Sequence, residues 1–209
     1  MGYPQTKMQR PAGDLQLVQI LDSALAEATR RAGAWLACRP GCTQCCVGAF
    51  AINALDAVRL EDGMGELWRT DSARATRIQQ RARDYIKRVE RDFPGDPRTG
   101  LLADDPTAEE RFESFANDEP CPALDPNTGM CDLYAYRPMT CRVFGPPVRN
   151  DDGNLGTCEL CFHGVSNDEV EACEMVPDPD ALEERLISEM EVEESRGQTI
   201  VAFVLAGQR

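Results

Sequence analysis

Four cysteines fall within nine residues, Cys38-Arg39-Pro40-Gly41-Cys42-Thr43-Gln44-Cys45-Cys46, at the spacing C-x3-C-x2-C-C. No other stretch restricts the fold as tightly. Pro40-Gly41 forbids a continuous helix between Cys38 and Cys42, so this segment is a loop. A loop of this kind turns its sulfurs inward and offers backbone N–H groups to them. Thiolates are soft, charged donors with high affinity for zinc and iron. Neighbouring side chains point apart in extended or turned backbone, so Cys45 and Cys46 are not expected to ligate one ion together.

Ten cysteines in 209 residues also fit a secreted disulfide framework. Against that stands the polar segment Met1 to Asp14, which has two prolines and no apolar core of signal-peptide length. No apolar run approaches the roughly 20 residues that span a bilayer. The expectation is a cytoplasmic protein with reduced thiols and no membrane contact. A net charge of −14 repels phosphate, and 6% aromatic residues supply few stacking platforms, so no nucleic-acid partner is expected. His163 is the single histidine, which excludes histidine-rich zinc sites and two-histidine iron sites. A soft-metal site here is built from sulfur.

Along the chain, residues 1–13 are expected to be a flexible lead-in to one domain over 14–205. Asp14 is placed as the N-cap of a first helix whose apolar stripe is Val18, Leu21, Leu25, Ala28, Ala32 and Trp35. Asn53 with Asp56 resembles a capping box for a short helix ending near Gly63. A longer helix runs from about Ser72 to Arg91, with Ile78, Ala82, Tyr85, Ile86, Val89 and then Phe93 inward. Its many arginines are expected to pair with the protein's own carboxylates, a docking face for an acidic partner being the alternative. Residues 94–106 are expected to be a flexible loop. Thr107 with Glu110 starts a short helix to about Ala116. Cys121 to Cys131 forms a hairpin that turns at Asp125-Pro126-Asn127-Thr128-Gly129. Asn150 to Asn154 is a turn rather than a calcium loop. Ser166 with Glu169 opens a helix containing Cys173, read as a small buried apolar residue. A further acidic helix spans about Asp180 to Glu194, with Leu182, Leu186, Ile187 and Met190 inward. Thr199 to Leu205 is either strand or buried helix. The fold expected is mainly α, a single metal-stapled domain around an irregular, small-β, cysteine-rich centre.

Nine cysteines are candidate metal ligands: Cys38, Cys42, Cys45, Cys46, Cys121, Cys131, Cys141, Cys158 and Cys161. One four-sulfur site leaves five over, and two leave one; spacing alone does not partition them. Cys38, Cys42, Cys45, Cys121, Cys131 and Cys141 are expected to converge. Arg39, Arg137, Arg142 and Arg149 lie beside or between the cysteines, where a cation offsets thiolate charge. Arg137 and Arg142 are expected to point at the centre from just outside it.

Two blocks together carry a resemblance. They are Cys38-x3-Cys42-x2-Cys45-Cys46 and Cys121-Pro-x-Leu-x6-Cys131-x-Leu-Tyr-x2-Arg137-Pro138-x2-Cys141-Arg142-x-Phe144. Over about residues 35–165 they resemble the CxxCxxCC cysteine-cluster family, also called the YkgJ family. That family is described as zinc- or iron-chelating and as containing iron–sulfur proteins, and flagellin lysine N-methylase carries a similar domain. The resemblance implies a metal centre built from both blocks, with a [4Fe-4S] cluster favoured over zinc. It also implies redox or protein-modifying chemistry of the lysine-methylation kind on a protein substrate or partner, but no settled reaction. A glycine-rich dinucleotide loop is missing, since Gly63-Met64-Gly65 has no third glycine. A structural zinc module that fixes loops for a protein partner is the alternative. A radical-SAM-like enzyme is the weaker one. Cys38-x3-Cys42-x2-Cys45 has its spacing, but Gln44 replaces the usual aromatic and the repeated strand–helix units of a barrel are missing.

Overall fold

A computed structural model describes residues 9–150, 152–190 and 197–207. Helices dominate, and every described strand is a two-residue piece of an antiparallel pair. Helix α1 spans Asp14–Ala32, α2 Ala54–Thr70 and α3 Ser72–Val89. Short helices follow: α4 Pro106–Glu113, α5 Met139–Val143, α6 Asn167–Ala172, α7 Leu182–Glu189 and α8 Val201–Ala206. The mainly α domain expected from the sequence is the fold observed.

The largest core lies where α2 and α3 pack around α8. Ile78, Ala82, Tyr85, Ile86 and Val89 line α3, while all six residues of α8 are buried. A helix apolar on every side needs such enclosure. Thr199 to Leu205 is therefore both structures offered by the sequence. Strand β8 (Thr199–Ile200) pairs with β1 (Ala51–Ile52), and the chain then turns directly into α8. Phe93, Phe115 and Phe203 close one end, with ring centroids 4.8 and 5.7 Å apart.

A second apolar cluster joins Leu17 and Leu21 of α1 to Leu55, Met139, Met175 and Leu186. A buried ionic group crosses it. Arg59, 1% exposed, donates from Nε to Asp14 Oδ1 at 2.6 Å and from Nη1 to Asp56 Oδ1 at 2.6 Å. Asp56 Oδ1 also accepts the Met139 backbone N–H at 2.9 Å, which seats the start of α5. Burial raises the pKa of Asp56 by more than Arg59 lowers it. The carboxylates are held by enclosure and would not choose this site unaided.

Several elements depart from the sequence expectation for local reasons. Asp14 is not the N-cap; Gly13 occupies that position and Asp14 is the buried partner of Arg59. Leu17 replaces Val18 in the buried stripe, and Trp35 is 39% exposed. Asp56 completes no capping box because its carboxylate is spent on Arg59 and Met139, although Asn53 does cap α2. Gly63 does not end α2. It lies under a ring, where a Cβ would stand 2.6 Å from Tyr136 Cγ. Residues 94–106 contain a packed hairpin, β2 (Gly95–Asp96) with β3 (Leu101–Leu102), not an unattached loop. The Thr199 hydroxyl donates to Gly100 O at 2.6 Å, holding that hairpin to the C-terminal strand. Asp105, rather than Thr107, caps α4. Of the 1–13 lead-in, Arg10 pairs with Asp14 and Asp62, while residues 1–8 lie outside the described residues. Residues 191–194 of the expected acidic helix lie outside them too, as does Asp151 of the turn after β6 (Val148–Arg149).

On α3, Arg81 and Arg74 reach Asp132, Arg88 reaches Glu119 and Lys87 reaches Asp84. These are the internal pairings expected for much of the basic helix. Replacing Arg59 by alanine strands two buried carboxylates, and urea unfolding should show a loss of about 3–5 kcal/mol. Arg59→Met combined with Asp14→Asn and Asp56→Asn should cost less, because no buried charge is then left without its counterpart.

Candidate metal centre

The nine candidate cysteines fall into two neighbouring sets. Cys38, Cys42, Cys158 and Cys161 form the first. Helix α1 ends at Gly33, and the turn Gly33–Trp35 sends the chain outward toward Cys38. The Phe162 N–H donates to Trp35 O at 2.9 Å, and the Ala37 N–H donates to Cys161 Sγ at 3.3 Å. These bonds lay the Cys158–Cys161 turn beside the first loop. Cys161 N–H closes that turn on Cys158 O at 2.9 Å, and Cys42 N–H closes the other on Arg39 O at 2.9 Å. Gly41, at φ +87°, supplies the left-handed residue that the loop needs. Cys158 and Cys161 are buried with Ala32, Phe162 and Cys173 in a small cluster of their own. Cys173 follows α6 as its C-cap, not mid-helix, and is buried as expected. Burial pushes the Cys38 thiol up to about 12, and the neighbouring Cys161, Cys42 and Cys158 add to that rise. Burial likewise raises Cys158, with Cys161 and Cys42 contributing.

Cys45, Cys46, Cys121, Cys131 and Cys141 form the second set. A turn over Gln44–Cys46 presents the adjacent pair, and Cys121 N–H donates to Cys46 O at 2.7 Å. The expected hairpin, β4 (Leu124–Asp125) with β5 (Met130–Cys131), pairs Leu124 with Cys131. It turns through Gly129 at φ +67°. Helix α5 brings in Cys141, seated by the Asp56 contact at Met139. Cys121 and Cys131 rest against the main core. Burial raises Cys141 well above the ordinary thiol range, and Cys121, Cys45 and Cys131 push the same way. Burial takes Cys121 up to about 12.

Cys45 is the exception. The adjacent Cys46 side chain is the largest influence on it, and the charge of Arg137 assists, lowering Cys45 to about 6. The neighbouring Cys45, with burial, raises Cys46. The expectation that this adjacent pair points apart is therefore corrected. In the tight turn their sulfurs meet.

The six-cysteine convergence expected from the sequence is redistributed. Cys38 and Cys42 join Cys158 and Cys161, while Cys45, Cys121, Cys131 and Cys141 gather with Cys46. Thr43 and Gln44 bridge the sets, and Gln44 is hydrogen-bonded to Glu159 between Cys158 and Cys161. The two arginines also differ. Arg137 stacks over Tyr134 at 3.9 Å, donates to Tyr134 O at 2.9 Å, and its charge favours the thiolates of Cys45 and Cys131. Arg142 is instead locked away, donating to Asp22 at 2.8 Å, Ala135 O at 2.7 Å and Arg137 O at 3.3 Å. It braces the loop that carries Arg137. Arg149 pairs with Glu171 and Glu174. Asp22 and the Ala37 N–H carried no sequence signal, since each acts through a partner distant along the chain.

Among the described residues, no group of three or more Cys, His, Asp or Glu side chains is already arranged to hold a metal ion. The donor chemistry nevertheless fits a soft metal. Each set supplies at least four sulfurs, and thiolates are soft donors for zinc and iron. No helix among the described residues is long and apolar enough to cross a membrane.

Fold and site define a helical protein whose cysteine-rich loops chelate metal. The chain belongs to the CxxCxxCC family, whose model, described as "Putative zinc- or iron-chelating domain", matches residues 37–161, more than half of the 209. No curated protein and no solved structure matches it.

In metal-free, reduced protein, Cys45 should be the first thiol alkylated by iodoacetamide at pH 7. A lowered thiol pKa keeps the reactive thiolate populated until the pH falls through about 6. Mass-spectrometric mapping should place the midpoint of that loss at higher pH in Cys46→Ala and in Arg137→Gln, each of which removes a cause of the shift.

Proposed function

We propose that Cys45, Cys121, Cys131 and Cys141 hold an iron–sulfur cluster, with Cys46 as the adjoining thiol. The observation that carries this reading is the gathering of five thiols from three separate segments, with the charge of Arg137 beside Cys45 and Cys131. An all-thiolate cluster is anionic, and an acidic protein needs a local cation to accept it. Arg137 supplies that charge from a fixed position, held by Tyr134 and by an ion pair with Asp22 at 3.6 Å that it shares with Arg142. When bound, such a cluster supplies one-electron redox chemistry, its potential tuned by hydrogen bonds and nearby charge. Membership in a family described as zinc- or iron-chelating supports the choice of soft metal.

Anaerobic purification followed by iron and acid-labile sulfide analysis tests the proposal. About four irons and four sulfides per chain, with a brown visible band, are expected. Cys121→Ser combined with Cys141→Ser should abolish both. Arg137→Gln should weaken retention, while Arg137→Lys restores part of it. Zinc in this set without sulfide would overturn the proposal.

A further inference from the structure

We infer that the outer face of α3 is a docking surface for an acidic segment of a partner protein. The inference does not depend on which metal the cysteines hold. Seven of the 22 Lys and Arg residues fall within residues 72–91, but only two of the 36 Asp and Glu. A chain at −14 gains nothing in solubility from cations gathered in one place. The concentration serves attraction instead.

The helix divides these cations between two faces. Arg74, Arg81 and Arg88 recur every seven residues, which places them on one side. That side is spent inside the molecule. Arg74 and Arg81 share Asp132, Arg81 also donates to Pro122 O at 2.8 Å, and Arg88 holds Glu119 at 2.7 Å. Arg77, Arg83 and Lys87 lie within about a third of the circumference, opposite the buried Ala75, Ile78, Ala82 and Ile86. Arg91 extends this outer face just past the helix end. Arg77, Arg83 and Arg91 are exposed, and among the described residues none of the three has a hydrogen-bond or ion-pair partner. Lys87 has an exposed pair with Asp84. A strongly acidic chain thus leaves this one face short of carboxylates.

The occupant follows from that charge and from its surroundings. A nucleic-acid strand carries charge at every step and would run past the face onto acidic surface. A protein can confine its carboxylates to the patch. Trp68, 43% exposed, and Arg69 stand in the last turn of α2, just before α3 starts. Tryptophan and arginine are among the side chains most enriched at protein interfaces. The face also has a position. Through Arg81 the helix reaches the residue after Cys121 and the residue after Cys131. A partner bound to α3 is brought up to the helix that braces the second cysteine set.

The test is fluorescence anisotropy of a labelled oligoglutamate peptide titrated with full-length protein at about 0.15 M salt. Wild type should bind, and Arg77→Glu with Arg83→Glu and Arg91→Glu should weaken binding about tenfold or more. Arg30→Glu with Arg98→Glu and Arg185→Glu makes the same change in net charge elsewhere and should retain binding. Lys87 supplies a readout that needs no variant, since bound peptide should slow its acylation by an N-hydroxysuccinimide ester. Failure of wild type to bind the peptide overturns the inference. So does equal weakening in the two triple variants, which would make net charge the cause, or unchanged Lys87 acylation in the saturated complex. Single-stranded oligodeoxythymidine of the same charge should bind more weakly. Tighter binding of that strand through the same arginines overturns the assignment to a protein.

Discussion

The buried contact of Arg59 with Asp14 and Asp56 holds together the parts that present the cysteines. It joins the first turn of α1, the first turns of α2 and, through the Met139 N–H, the start of α5. Few positions tolerate a guanidinium at 1% exposure. Here two carboxylates pair with it inside an apolar cluster, although its Nη2 and Asp14 Oδ2 lack a hydrogen-bond partner among the described residues. Such a group specifies geometry more than it adds stability, because desolvation consumes much of the Coulombic gain. Its geometric effect is large. Helix α5 spans only Met139–Val143, too short to form unaided, yet it must present Cys141 and brace Arg137 through Arg142.

The two cysteine sets rest on different foundations. Cys121 and Cys131 lean on the main core of α2, α3 and α8. Cys158 and Cys161 lie in a small satellite cluster at the end of α1. The main core buries many apolar residues, whereas the satellite has few.

Arg137 and Arg142 show how near neighbours with the same charge serve different ends. Arg137 stacks on Tyr134 and lends its field to Cys45 and Cys131. Arg142 spends its donors on Asp22 and two carbonyls. Their spacing makes them equivalent in sequence. Only the direction in which α5 leaves Pro138 separates them.

Much of the molecule was legible from local chemistry. The inner face of α3 follows from its 3.6-residue apolar period, the Cys121–Cys131 hairpin from its turn residues, and the Ser166–Glu169 capping box from its spacing. The cysteine blocks by themselves marked the family and the soft-metal chemistry. Features that depend on contacts far along the chain were not legible. Gly63 continues a helix because Tyr136 lies over it, and Asp56 abandons a cap because Arg59 and Met139 claim it. Thr199 to Leu205 splits between strand and helix because Ala51 and Ile52 pair with Ile200 and Thr199, after which the main core encloses the rest. The partition of nine cysteines is the clearest case. Spacing shows which residues can chelate, since short turns are local. Which sulfurs meet depends on how segments a hundred residues apart are packed, and only the tertiary structure decided that.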